Sequence, residues 1–158
     1  MPASMASTSS ATDNPAIYID TSVLVKWYVK EPYSDEVEVF LNQNSPLVLS
    51  DLVVLEWHCA LRRIERNGGI SKEYRLTAER ELAKDIADTW FTLAPCAAHL
   101  MKEAQVLIEQ VCPLSLRALD AMHLRIAQSA QIWQLATSDK EMKKAAESLD
   151  FTTHYFND

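Results

Sequence analysis

A chain of 158 residues with 48% hydrophobic content is long enough for one domain with a sizeable core and too short for two comfortable ones. Its formal net charge of −7 repels phosphate backbones at long range, which excludes a protein that coats nucleic acid by general electrostatics and leaves only local engagement. The longest apolar runs, such as residues 52–55, fall far below the roughly 20 residues that a membrane-spanning helix needs, so no such span is expected.

Residues 1–15, MPASMASTSSATDNP, are rich in Ser, Thr and Ala but lack both the basic start and the apolar centre of a secretory signal. They read as a disordered leader ahead of a single domain over residues 16–158. The first strand is expected at 16–20, followed by helical patterns at 23–29 and 34–42, a strand at 47–50, and helices at 52–67 and 72–89. A strand at 90–94, helices at 97–111 and 116–130, a strand at 132–137, a helix at 140–149 and a weaker strand at 153–156 complete the chain. Alternation of this kind points to an α/β fold with a mainly parallel sheet. Gly68 and Gly69, the only two glycines, stand together just past the helix at 52–67, where a C-terminal cap needs positive φ. With no glycine elsewhere, neither a P-loop nor a dinucleotide fingerprint can be written.

Four acids interrupt or follow stretches that ought to be buried, and a charge in such a place costs several kcal/mol unless something pairs with it. Asp20 ends IYID at the carboxyl end of the first strand, the edge where open α/β sheets bind ligands, and Thr21 and Ser22 put hydroxyls at the same spot. A plain helix cap is its competing role. Glu56 is the only formally charged side chain in LVVLEWHCAL, and at about 100° per residue it falls near the arc of Leu52, Leu55, Cys59 and Ala60. Asp120 projects from a broad helix face shared by Leu116, Leu119, His123, Leu124, Ile126, Ala127 and Ala130. Stabilisation by the helix dipole, about 0.3 to 1 kcal/mol, does not offset full burial there. Asp139 ends LATSD and repeats the situation of Asp20 at another strand's end, again with capping as the competing role. Asp51 also follows a strand but stands in an ordinary capping position, so it is left out as a structural cap.

Carboxylates and hydroxyls without a cysteine or histidine cluster make a hard oxygen site suited to Mg²⁺ or Mn²⁺ rather than zinc. Such ions polarise a phosphodiester and lower the pKa of a bound water, so phosphodiester hydrolysis is the chemistry that fits. Cys59, Cys96 and Cys112 form no CxxC pair and leave an odd count, which argues against a disulfide framework and for a reducing cytoplasm. Arg62, Arg63 and Arg66 lie together, Lys140, Lys143 and Lys144 follow Asp139, and Arg117 precedes Asp120; a solvated helix face explains such clusters, though they permit RNA binding. His58, His99, His123 and His154 form no ligand pattern, and His123, one turn beyond Asp120, reads as a packed or supporting histidine. Trp27, Trp90 and Trp133 read as core residues.

At these positions the chain resembles the PIN-domain ribonucleases, and within them the VapC-like toxins of bacterial toxin-antitoxin pairs. The matching pieces are IYIDTSVLVKWYVKE, LSDLVVLEWHCALRR, LSLRALDAMHLRIAQSA and LATSDKEMKKAAESL, which run in the family's order over nearly all of the chain after the leader. The resemblance implies a flavodoxin-like α/β/α sandwich, with Asp20, Glu56, Asp120 and Asp139 as the catalytic acids holding one or two Mg²⁺ or Mn²⁺ ions that activate water for RNA cleavage. By carry-over, Asp20, Asp120 and Asp139 are the nearer ligands and Glu56 acts through water, supported by Thr21, Ser22 and Thr137. The resemblance also implies a homodimer silenced by a small VapB-like antitoxin. Trp57, Leu61 and Ile64, on a second apolar face of the Glu56 helix, are either a dimer or antitoxin surface or internal packing. Two alternatives remain at this point: a Mg²⁺-binding phosphoacceptor or signalling module on a similar sheet, and a catalytically silent PIN-like binding domain. A receiver shows adjacent acids after the first strand and a dehalogenase-like phosphatase a second Asp two residues on, where this chain has Asp20-Thr21-Ser22.

Overall fold

A computed structural model describes residues 14–158; apart from Asn14 and Pro15, the expected leader at 1–15 lies outside the described residues. The chain forms β1 (Ile17–Ile19), α1 (Thr21–Tyr28), α2 (Ser34–Gln43), β2 (Leu47–Ser50), α3 (Asp51–Arg66), α4 (Lys72–Ala87), β3 (Phe91–Ala94), α5 (Leu100–Gln110), α6 (Ala118–Ser129), β4 (Gln134–Thr137), α7 (Lys140–Ser148) and β5 (Thr152–Tyr155). Each element expected from the sequence is present, with ends that coincide or shift by at most three residues.

The strands make one parallel sheet in the order β3-β2-β1-β4-β5. Strand β1 is central, with Tyr18 level with Val48 on one side and Leu135 on the other. Its three residues are all buried, as is β2, because a parallel sheet covered by helices on both faces needs apolar side chains on both. From β1 the chain steps outward through β2 and β3, then returns to lay β4 and β5 along the other edge of β1. Strand order therefore reverses between β1 and β4, and a crevice opens beyond their carboxyl ends.

Several local expectations change in three dimensions. The cap of α3 is Ser50, whose Oγ accepts from the Val53 amide at 3.2 Å, while Asp51 is the exposed first residue of the helix. Trp57 and Leu61 are fully buried and Ile64 packs against the core, so this face of α3 is internal packing rather than a docking surface. Trp90 and Trp133 do not enter the core: they remain 39% and 48% exposed, Trp90 stacking on Trp27 with ring centroids 6.2 Å apart. No helix among the described residues is long and apolar enough to cross a membrane.

Helix α3 ends as its glycines require. Gly68 has φ of +75°, and its amide donates to Glu65 O at 2.9 Å. An alanine there would occupy the left-handed region at a cost of about 1–2 kcal/mol. Gly68→Ala is expected to lower the melting temperature by roughly 2–8 °C, read by circular dichroism; an unchanged melt would mean that another residue closes this turn.

Candidate active site

The crevice beyond β1 and β4 is built on hydroxyl-to-carboxylate bonds. The Asp20 amide donates to Ala136 O at 3.0 Å, which fixes the end of β1 against β4. Its buried carboxylate then receives three donors: the Thr21 amide on Oδ1 at 2.7 Å, and the hydroxyls of Ser22 (2.6 Å) and Thr137 (2.8 Å) on Oδ2. Both hydroxyls accept in turn from the β4 end, Thr137 Oγ1 from the Asp139 amide at 3.0 Å and Ser22 Oγ from the Ser138 amide at 2.9 Å. Because each hydroxyl has one proton to give and lone pairs to receive, this pattern orients Asp20 and anchors Asp139 together.

Asp139 is both a cap and a cleft residue. Its Oδ1 accepts from the Glu141 and Met142 amides at 2.9 and 3.0 Å, closing the start of α7, while Oδ2 meets Arg117 Nη2 at 2.6 Å. The capping role and a place in the site are thus held by different oxygens of one carboxylate. Asp20 likewise stands at the N-cap of α1.

Asp120 lies in the first turn of α6, a helix buried around most of its circumference. Residues Ala121 and Met122 are buried along with His123, Leu124, Ile126 and Ala127, whereas Leu119 and Ala130 are exposed, contrary to the stripe expected from periodicity. Leu119 leaves the core because it lines the cleft. Burial pushes the Asp120 carboxyl above its ordinary pKa; Arg117 works against that push, while the charges of Asp139 and Asp20 add to it. Arg117 reaches Asp120 Oδ2 through Nε at 2.8 Å and so bridges two carboxylates from different elements.

Glu56 enters from α3. Its Oε2 accepts from Thr21 Oγ1 at 2.8 Å and is in contact with His123 Nε2, whereas Oε1 makes no hydrogen bond among the described residues. Burial pushes the Glu56 carboxyl up, but the His123 ring, the Thr21 hydroxyl and the Arg117 charge outweigh it and hold the group below its ordinary value. A charged Glu56 needs a proton on His123 Nε2. The Nδ1 of a neutral ring then accepts from Tyr18 Oη at 2.8 Å, and Tyr18 accepts from Ser50 Oγ at 2.6 Å. Burial raises the Tyr18 phenol far beyond its ordinary range, so the Tyr18 hydroxyl keeps its proton in this interior chain.

All four acids singled out from the sequence line one cleft of about 480 Å³, together with Thr21, Ser22 and Arg117; Thr137 sits buried behind Asp20, and Asp51 is not in the lining. The opposite wall is apolar, formed by Val25, Leu52, Leu55, Cys59, Ala60 and Leu119, with Arg63 at its rim. By residue type the cleft suits a hard divalent cation, with carboxylates from four segments and no thiolate or imidazole cluster. As the side chains stand, no group of three or more His, Cys, Asp or Glu among the described residues is placed to hold a metal ion. The positive charge between Asp120 and Asp139 is instead the Arg117 guanidinium, on a side chain 72% exposed and so free to swing toward solvent. Sequence reading noticed Arg117 only as a nearby base, although its position three residues before Asp120 on a helix start was the available signal. The Tyr18–His123 contact had none, since 105 residues separate the pair.

Comparison with known proteins adds an independent line. The model of the PIN domain family matches residues 17–148. Ribonuclease VapC46 of Mycobacterium tuberculosis is 32% identical over 137 residues, covering 85% of this chain and 92% of the relative. Among solved structures, M. tuberculosis VapC20, described as a sarcin-ricin loop cleaving toxin, matches with a TM-score of 0.64 at 16% identity over 82% of this chain and 94% of that one. VapBC2 from Rickettsia felis, solved bound to a DNA fragment from its promoter, matches with a TM-score of 0.61 at 16% identity over 90% and 98%. At such identities the two structures establish the fold.

The raised pKa of Asp120 has a measurable consequence. The native state holds this proton more tightly than the unfolded chain, so at neutral pH the ionised group costs stability; the cost fades as pH falls through the raised native value toward the ordinary one of about 3.9. With chelator present, Asp120→Asn is expected to melt a few degrees above the wild type at pH 7 and to lose that advantage near pH 4. A variant less stable than wild type at pH 7 would show that the Arg117 pair outweighs burial.

Proposed function

Since the chain belongs to the PIN domain family, we propose that it is a metal-dependent endoribonuclease that hydrolyses RNA phosphodiester bonds, acting as the toxin of a toxin-antitoxin pair. The observation that carries this reading is the convergence of Asp20, Glu56, Asp120 and Asp139, from four separate segments, on one cleft at the sheet's switch point. A relative covering most of the chain is named a ribonuclease, which supports the same chemistry. A domain over residues 16–158 contains every residue the reaction needs.

Asp20, Asp120 and Asp139 would hold the cation, Mg²⁺ or Mn²⁺, with Glu56 more remote. When bound, such an ion lowers the pKa of water and neutralises charge on the phosphodiester. The chain's own residues set up the rest. Thr137 and Ser22 keep Asp20 Oδ2 occupied, so Oδ1, bonded only to the Thr21 amide, is the oxygen with capacity to spare. The Thr21 hydroxyl and His123 fix Glu56 through Oε2, and Oε1 is left to accept a proton from a water aligned on the scissile phosphorus. Arg117, released from the carboxylates, supplies a mobile cation for the phosphate oxygens. The phosphoacceptor alternative draws no support here, because the family model that matches is the PIN domain and the relative at 32% identity is named a ribonuclease.

The pairing follows from the same reading: a small VapB-like antitoxin covers the cleft, and two copies of the chain form a homodimer. Solved structures of VapBC2 and of FitAB, each bound to a DNA fragment, share the fold and support a two-protein assembly of this kind. Three free cysteines agree with a cytoplasmic setting.

The purified protein is expected to cleave RNA with Mg²⁺ or Mn²⁺ and to stop in EDTA, while Asp20→Asn and Asp120→Asn fall to background with an unchanged circular dichroism spectrum. Cleavage that persists in EDTA would remove the metal from the mechanism, and activity in both variants would remove the acids.

A further inference from the structure

Helix α3 carries Glu56 into the cleft, and the same helix continues outward as a basic ridge. Arg63 stands seven residues after Glu56 and Arg66 ten, so at 1.5 Å rise per residue they lie about 10 and 15 Å farther along the axis. The cleft does not close between them. Its rim at Cys59 is shared with a second depression of about 280 Å³, lined by His58, Cys59, Arg62 and Arg66.

Acidic neighbours do not cancel this ridge. Arg75 of α4 is buried, and its guanidinium takes Glu65 Oε2 at 2.6 Å through Nε and Glu79 Oε1 at 2.6 Å through Nη1. Burial pushes the Glu79 carboxyl up, yet Arg75 and His58 hold it below its ordinary value, so Glu79 stays ionised, and both carboxylates are hydrogen-bonded to Arg75. Glu65 therefore meets Arg62 only through a long contact of 3.5 Å, and Arg63 and Arg66 have no carboxylate partner among the described residues. In a chain of net charge −7, three arginines without a firm counter-charge, continuous with an acid-lined cleft, form a localised cationic track.

We propose that the outer face of α3, from Arg63 to Arg62 and Arg66, is the path by which one flank of a single-stranded RNA runs from the cleft across the second depression. This rests on the ribonuclease reading and adds to it the path that the substrate takes across the surface. Guanidinium groups on the ridge take successive phosphates, and the apolar wall of Leu52, Leu55 and Leu119 faces bases that only an unpaired strand leaves open. Repulsion from the rest of the chain confines binding to this line, so contact with RNA is local and salt-sensitive.

The test is fluorescence anisotropy of a labelled single-stranded RNA of a dozen nucleotides on the cleavage-silenced Asp20→Asn protein, with and without Arg62→Gln/Arg66→Gln, across a salt series. Losing two phosphate contacts is expected to weaken binding on the order of tenfold and to flatten the slope of log K against log salt by about 1.4. Arg62→Lys/Arg66→Lys should restore most of the slope. In the otherwise wild-type enzyme, the Gln pair should raise KM for the long RNA while kcat holds, and a trinucleotide should be cleaved with unaltered KM. An unchanged slope and KM overturn the track. So does equal affinity for a duplex of the same length, or a loss confined to binding an acidic partner protein. If the wild type cleaves no RNA, the ribonuclease reading fails first, and the anisotropy slope still decides whether α3 binds a polyanionic strand.

Discussion

Everything at the carboxyl end of this sheet depends on the buried hydroxyl of Thr137. It donates to Asp20 across the junction of β1 and β4 and accepts the amide of Asp139 two residues on. An aliphatic side chain of the same shape would pack equally well and orient nothing. Since a polar group that loses its donors in such a place costs several kcal/mol, the seam holds the Asp20 carboxylate in one orientation and does not let it turn away from the cleft. Ser22 repeats the device one bond over, and the two strands are joined by side chains just where their backbone ladder ends.

Asp139 also has three donors, two helix amides and Arg117, whereas Glu56 and Asp120 are held differently. Glu56 is backed by an imidazole and, behind it, a phenol and a hydroxyl, so its charge rests on an ordered interior chain. Asp120 has only Arg117, a solvent-exposed arm, and remains the acid most disfavoured by its surroundings. A site with two carboxylates held by three donors each, one braced by an interior chain and one pushed up by burial differs from an array of equivalent caps. The residual repulsion around Asp120 is the part of the fold that a cation would relieve.

Much of this was legible in the residues. Asp20, Glu56, Asp120 and Asp139 could be found because each breaks a local rule of burial, and the two glycines marked the end of α3 without ambiguity. Periodicity went wrong where a helix faces two environments at once: Leu119 was assigned to the core because the pattern registers that it is apolar, not that a cleft rather than another helix stands opposite. Trp90 and Trp133 misled for a similar reason, since large rings at strand beginnings are covered or left open according to where neighbouring loops pass. The Tyr18–His123 contact and the reach of Arg117 to Asp139 lie beyond such a reading, because both depend on which segments the sheet order brings together.

The order of strands also carries a message about synthesis. Thr137 lies 117 residues after Asp20, and β4 reaches β1 only once α6 has been made. A ribosome translating this chain therefore exposes the first acid long before the partners that aim it exist, and parallel pairing across such a separation forms late. The cleft cannot be completed until residues through Asp139 have been made, and a product terminated before them lacks part of its lining.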